Sequence, residues 1–93
     1  KQQPIIVSVD AQGNFYLNLA ENPKQPIDAL TLGNRVGAEI KAEEQQGQTP
    51  IVLVKGDAQA DYGKVVSAMV ILQQAGASNV GLITQPPANA PAS

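Results

Sequence analysis

Cysteine and histidine are both absent from this 93-residue chain. Thiolate and imidazole groups are the usual protein ligands of zinc, iron and copper, so a site for these metals is not expected. The same absences exclude nucleophilic catalysis that relies on a Ser-His or Cys-His pair. We therefore expect no cofactor and no covalent chemistry, and we predict that the protein is not an enzyme.

Clustered positive charge is missing as well. The chain has six Lys and Arg against eight Asp and Glu, and its only aromatic residues are Phe15, Tyr16 and Tyr62. Nucleic-acid binding needs a basic surface for the phosphates or aromatic side chains that stack on bases, so no nucleic-acid partner is expected. No apolar run reaches the roughly 18 residues of a membrane-spanning helix.

Four stretches predict β-strands, at residues 5–10, 14–19, 51–54 and 80–83. The first is rich in β-branched residues, and a turn ending at Gly13 follows it. In the second, Phe15, Leu17 and Leu19 alternate with polar residues, which is typical of a strand with one open face. The third is an unbroken apolar run that predicts a central strand covered on both sides.

Two stretches predict helices. Thr31 is a candidate N-cap for a helix that runs to about Gln46, and its apolar stripe recurs every four residues. The apolar stripe consists of Leu32, Val36 and Ile40. The predicted solvent-exposed face consists of Arg35, Glu39, Lys41, Glu43 and Glu44.

The second predicted helix opens at Asp61 and ends near Ala75, before Gly76. Its predicted core side consists of Tyr62, Val65, Val66, Met69, Leu72 and Gln73. Ile71 falls on the opposite side among small residues, so we interpret it as a candidate contact with another surface. The element order β-β-α-β-α-β predicts an α+β fold, a mixed four-stranded sheet with two helices packed on one face.

Few side chains could support chemistry. Asp57 and Asp61 could form a carboxylate pair for acid–base catalysis or Ca²⁺, although helix capping and loop stabilisation explain them better. Together with Lys55 they are the only candidates for a small hydrolase or transferase. Tyr16 and Asn18, on the open side of their strand, could contact sugar or peptide or could simply be solvated.

Three segments carry a family resemblance: residues 56–66 (GDAQADYGKVV), 72–76 (LQQAG) and 79–86 (NVGLITQP). They resemble the periplasmic domain of the ExbD/TolR family, and the ending 81–86 is closer to the TolR branch. The likeness spans about residues 5–86, so we interpret 1–86 as the domain and 87–93 as a flexible tail. Asp61 is a departure, because relatives often have proline there.

The resemblance implies a periplasmic domain of a bacterial inner-membrane protein with one transmembrane helix, which carries the proton pathway outside this chain. It implies a homodimer within TolQ-type channel subunits, using the proton-motive force to act on TolA, with non-covalent peptidoglycan binding that serves outer-membrane integrity and cell division. The alternative is an ExbD-type protein with ExbB and TonB as partners in nutrient uptake.

We expect partner or peptidoglycan contacts at an exposed strand edge or on the open sheet face. The candidate contact residues are Ile6, Tyr16, Asn18, Asp57, Asp61, Tyr62, Ile71, Thr84 and Gln85.

Overall fold

The structure is a computed structural model that describes residues 3–84. The elements in this range follow the predicted order: β1 (Ile5–Val9), β2 (Phe15–Leu17), α1 (Ala29–Gln45), β3 (Val52–Gly56), α2 (Tyr62–Gln74) and β4 (Val80–Thr84). The predicted tail, residues 87–93, lies outside the described residues.

The four strands form one mixed sheet in the spatial order β2-β1-β3-β4. β1 pairs with β2 in antiparallel orientation, while β1–β3 and β3–β4 are parallel pairs. Val7 lies opposite Leu17 on one side and Val54 on the other, so the buried residues of three strands are in register. The predicted α+β fold is confirmed.

Both helices pack on the same sheet face and against each other, and the core lies between these layers. Alternate strand residues point into it because side chains of a strand alternate between faces. Its largest fully buried members are Ile5, Val7, Val9, Leu32, Val36, Val54 and Leu72. Each such side chain contributes about 1.5–3 kcal/mol by leaving water.

α1 begins three residues earlier than predicted. Thr31 is not the N-cap; its backbone N–H donates to Oδ1 of Asp28 at 2.7 Å, and Asp28 holds the N-cap position with an extended backbone. The hydrogen bond from the Thr31 amide lowers the pKa of the Asp28 carboxyl. The segment just before α1 is held against the sheet, because Ile27 pairs with Phe15 beside β2.

The predicted core side of α2 is only partly right, since Val65 and Leu72 are buried and Tyr62 is not. Val65, Ala68 and Leu72 are its buried residues, whereas Tyr62 is 71% exposed. Ile71 is half-buried, because this flank of α2 packs against α1. Apolar residues occur on nearly every side of α2, so periodicity alone could not select the buried one.

The structure also corrects three predictions about the burial of single side chains. Leu53 is only half-buried, so within the described residues β3 is covered on one side and not on both. Glu43, assigned to the wet face of α1, is 7% exposed. Met69, predicted to be core, is half-buried and packs at the margin of the core.

Candidate functional site

The sheet face opposite the helices carries two rows of side chains that the strand register brings side by side. One row contains Ile6, Leu53 and Gly81. The second row contains Tyr16, Ser8, Lys55 and Ile83. Gly81 packs closely in the first row: a Cβ added there would lie 2.7 Å from Cδ2 of Leu53, so the Leu53 side chain would have to move. The open face is therefore apolar in the row that contains Ile6 and Leu53. It carries both polar and apolar side chains in the row that contains Ser8 and Lys55.

One carboxylate organises the turn between β1 and β2. Oδ1 of Asp10 accepts the backbone N–H groups of Gln12 at 3.0 Å and Asn14 at 2.8 Å. Oδ2 accepts the Asn14 side-chain amide at 3.1 Å and the Tyr16 hydroxyl at 2.8 Å. Gly13 adopts φ +84° in this turn, a conformation that favours glycine.

These hydrogen bonds shift the pKa values of Asp10 and Tyr16 in opposite directions. The Asn14 backbone amide, above all, holds the pKa of the Asp10 carboxyl below its usual value. The hydrogen bond to Asp10 raises the pKa of the Tyr16 hydroxyl. At neutral pH the pair is therefore a carboxylate that accepts and a phenol that donates.

A cleft lies beside this pair, where β1 and β3 reach their carboxyl ends, and we call it the strand-end cleft. Its volume is about 160 Å³, and it is lined by Ser8, Val9, Asp10, Tyr16, Lys55 and Asp57. Asp57 is positioned by its backbone N–H, which donates to the Val9 carbonyl at 2.9 Å and prolongs the β1–β3 pairing. Its carboxylate accepts the Gln59 amide at 3.3 Å, as expected for a loop-stabilising aspartate.

Ile6 and Asn18 lie at the other end of the open face. The Asn18 side chain accepts the Ile6 backbone N–H at 2.8 Å and donates to the Pro4 carbonyl at 2.9 Å. Asn18 thereby continues the β1–β2 pairing beyond the end of β2. Its amide is engaged within the chain, and the residue is exposed.

Asp61 and Tyr62 lie at the start of α2, outside the strand-end cleft. Asp61 occupies the N-cap position, but its side chain makes no capping hydrogen bond. The predicted catalytic candidates Asp57 and Lys55 line one cleft, whereas Asp61 does not join them there.

Ile71 lies in a separate groove of about 480 Å³ between the two helices. The floor is formed by small residues of α1, and Cγ2 of Ile71 would lie 3.6 Å from a Cβ added at Gly33. Ile71 is thus a contact between helices as well as a partly exposed residue. Thr84 ends β4 opposite Gly56, and Gln85 lies outside the described residues.

The sequence interpretation did not include Ser8 and Asp10 among the binding candidates. The alternation of Ile5, Val7 and Val9 already indicated that Ser8 faces away from the core. Its position next to Lys55 depends on the pairing of β1 with β3, for which the sequence offered no local signal.

Residues 3–84 contain neither a metal-site cluster nor a membrane-spanning helix. No three acidic side chains are grouped as a metal site would require. Neither helix in this part of the chain has the length and apolar character to cross a membrane.

Known proteins match this chain over most of its length. The sequence profile described as Biopolymer transport protein ExbD/TolR matches residues 1–87. The chain is 39% identical over 89 residues to the "Tol-Pal system protein TolR" of Pseudomonas aeruginosa, covering 92% of this chain and 60% of that protein. It is 26% identical over 84 residues to the "Biopolymer transport protein ExbD" of Neisseria gonorrhoeae, covering 90% of this chain and 54% of that one.

Proposed function

Because this chain belongs to the ExbD/TolR family, we propose that it is the periplasmic domain of a TolR-like component of a Tol-Pal envelope motor. The observation that carries the TolR assignment is the 39% identity to a TolR protein over 92% of this chain. The chain spans about 60% of that relative's length. In this proposal the membrane helix that handles protons lies outside the chain.

The proposed role is to bind peptidoglycan without covalent chemistry and to couple a TolQ-type channel to TolA, in support of outer-membrane integrity and cell division. The open sheet face supports a binding role, because both helices pack on the other face and leave its two rows of side chains accessible. The hydroxyl of Tyr16, a potential nucleophile beside the strand-end cleft, is held as a donor to Asp10.

We further propose a homodimer that forms along β4. β4 lies at the sheet edge, contains no charged residue, and exposes 42% of Leu82 and 42% of Ile83. Unprotected edges of this kind pair readily with another strand. The opposite edge is less accessible, since Ile27 donates its N–H to the Phe15 carbonyl of β2 at 2.9 Å.

Co-sedimentation with purified sacculi tests the proposed wall binding. The 93-residue chain should pellet with intact sacculi in a saturable manner, because peptidoglycan is the proposed ligand. Sacculi digested with muramidase before centrifugation are the matched control and should leave the chain in the supernatant. A chain that stays in the supernatant with intact sacculi at every concentration contradicts the proposal.

An ExbD-type role is the second candidate, supported by the 26% identity to an ExbD protein over 90% of this chain. Immobilised periplasmic domains of TolA and TonB distinguish the two roles. We expect capture of the chain by TolA. Capture by TonB and not by TolA would replace the TolR assignment with the ExbD one.

A further inference from the structure

The strand-end cleft is placed where ligands commonly bind in sheets with parallel strands, outside the carboxyl ends of adjacent strands. Its volume of about 160 Å³ is well below the roughly 300 Å³ at which pockets for drug-sized molecules begin. The cleft therefore fits one terminal group of a larger molecule and not the whole molecule.

Tyr16 presents only an acceptor to this cleft. Its single hydroxyl proton is donated to Asp10 at 2.8 Å, and the Asp10 carboxylate also accepts three N–H groups. The remaining lone pair of the Tyr16 oxygen is available to a donor of the ligand. Asp10 itself is occupied, so its part is to orient Tyr16.

Lys55 presents the positive charge. Lys55 and Tyr16 lie on either side of Ser8 across the sheet, so their Cα atoms are about two strand spacings apart, roughly 9–10 Å. The ammonium group has no hydrogen-bond or ion-pair partner within residues 3–84. A carboxylate of a ligand would provide that partner.

Asp57, which directly follows β3, presents a negative charge to the cleft. One carboxylate oxygen accepts the Gln59 amide, and the side chain is exposed, so the second oxygen can accept from a ligand. The cleft therefore combines one cation with two carboxylates and a phenolic oxygen. The Asp10 carboxylate is occupied by donors of the chain itself, so Asp57 and the Tyr16 oxygen are the acceptors left for a ligand. An ammonium group and a carboxylate carried by the same ligand complement this set.

We propose that the strand-end cleft binds a free α-amino-acid centre, a carbon that bears both an ammonium and a carboxylate group. The carboxylate pairs with Lys55, and the ammonium donates to Asp57 and to the Tyr16 oxygen. This inference rests on the proposed wall binding, because an uncrosslinked diamino-acid residue of a peptidoglycan stem peptide carries such a centre.

NMR titration of the 15N-labelled chain with diaminopimelate tests the inference. Saturable shifts should appear at the amides of Ser8, Tyr16, Lys55 and Asp57. Pimelate lacks the ammonium groups and 1,5-diaminopentane lacks the carboxylates, and each should bind at least about tenfold more weakly, since a charged group left without its partner weakens binding. Equal binding of pimelate, or no saturable shift with diaminopimelate, overturns the inference.

Substitutions test which side chains of the cleft bind the ligand. Lys55→Gln and Asp57→Asn should each weaken diaminopimelate binding about tenfold with little change in thermal unfolding, because both side chains are exposed. Tyr16→Phe should also weaken it, and Lys41→Gln on α1 is the matched control that should not. Unchanged affinity in Lys55→Gln and Asp57→Asn contradicts the inference.

The proposed ligand binding in the strand-end cleft and the proposed wall binding of the domain can be contradicted separately. Full sacculus binding by Lys55→Gln would remove the cleft from the wall contact and leave the proposed function intact. Failure of the unsubstituted chain to pellet with sacculi would remove the proposed function, even if diaminopimelate still bound in the cleft.

Discussion

Asp10 is the residue on which the geometry of the candidate site depends most directly. The sequence predicted a turn at this position, because Asp and Gly are favoured there. It did not predict that the same carboxylate would reach Tyr16, six residues further on, at 2.8 Å. That contact depends on the register of the β1–β2 pair, which the turn residues alone did not indicate.

Glu39 and Glu43 stand one helical turn apart on α1 and line the same polar cavity of about 380 Å³. The hydrogen bond between their side chains raises the pKa of Glu39, an effect that Arg35 opposes. A raised folded-state pKa means that this contribution to stability is complete below the ordinary glutamate pKa. It is lost as the pH rises through the folded-state value.

We therefore expect Glu39→Gln to raise the melting temperature at pH 7 by about 1–4 °C, since a like-charge pair one turn apart costs about 0.2–0.5 kcal/mol. The gain should disappear at about pH 4, where the native carboxyl is protonated. Thermal unfolding followed by circular dichroism across this range measures it. Glu44→Gln controls for the general effect of an acidic residue near the end of α1, and an equal gain there would contradict the prediction.

At the scale of the elements, the strands and helices were predictable and their packing was only partly so. β-Branched runs and alternation located all four strands, and Gly47 and Gly76, both with positive φ, end the helices where glycine was expected. The buried side of α2 was only partly predictable, because it depends on the approach of α2 to α1, where Ile71 lies next to Gly33. That approach is a tertiary contact and leaves no periodic signal.

The β4 edge gives a prediction for association. Ile83→Lys should convert a dimer of the 9.7 kDa chain into a monomer, because a charge on an edge strand opposes pairing with another strand. The fold should persist, since Ile83 is 42% exposed. Sedimentation equilibrium of the unsubstituted chain and the variant provides the measurement.

Leu30→Lys is the matched control, because Leu30 is 76% exposed on α1, away from this edge. It should leave the dimer intact. A chain that sediments as a monomer at all concentrations, or an Ile83→Lys variant that remains dimeric, contradicts association along β4.

At the scale of the whole molecule, topology creates the site. Ser8 and Lys55 are 47 positions apart in the sequence and become neighbours only through the parallel pairing of β1 with β3. The sequence order predicted a mixed sheet with both helices on one face, but gave no local signal for this pair. The resemblance to the family indicated binding without indicating where the cleft would form.

The central claim is that the domain binds the cell wall through its open sheet face. The most direct test is an NMR footprint of the 15N-labelled chain with soluble wall fragments released by muramidase. The predicted result is that shifts concentrate at Ser8, Tyr16, Lys55 and Asp57. Shifts that cluster instead on the acidic stretch of α1, residues 39–44, would contradict the claim.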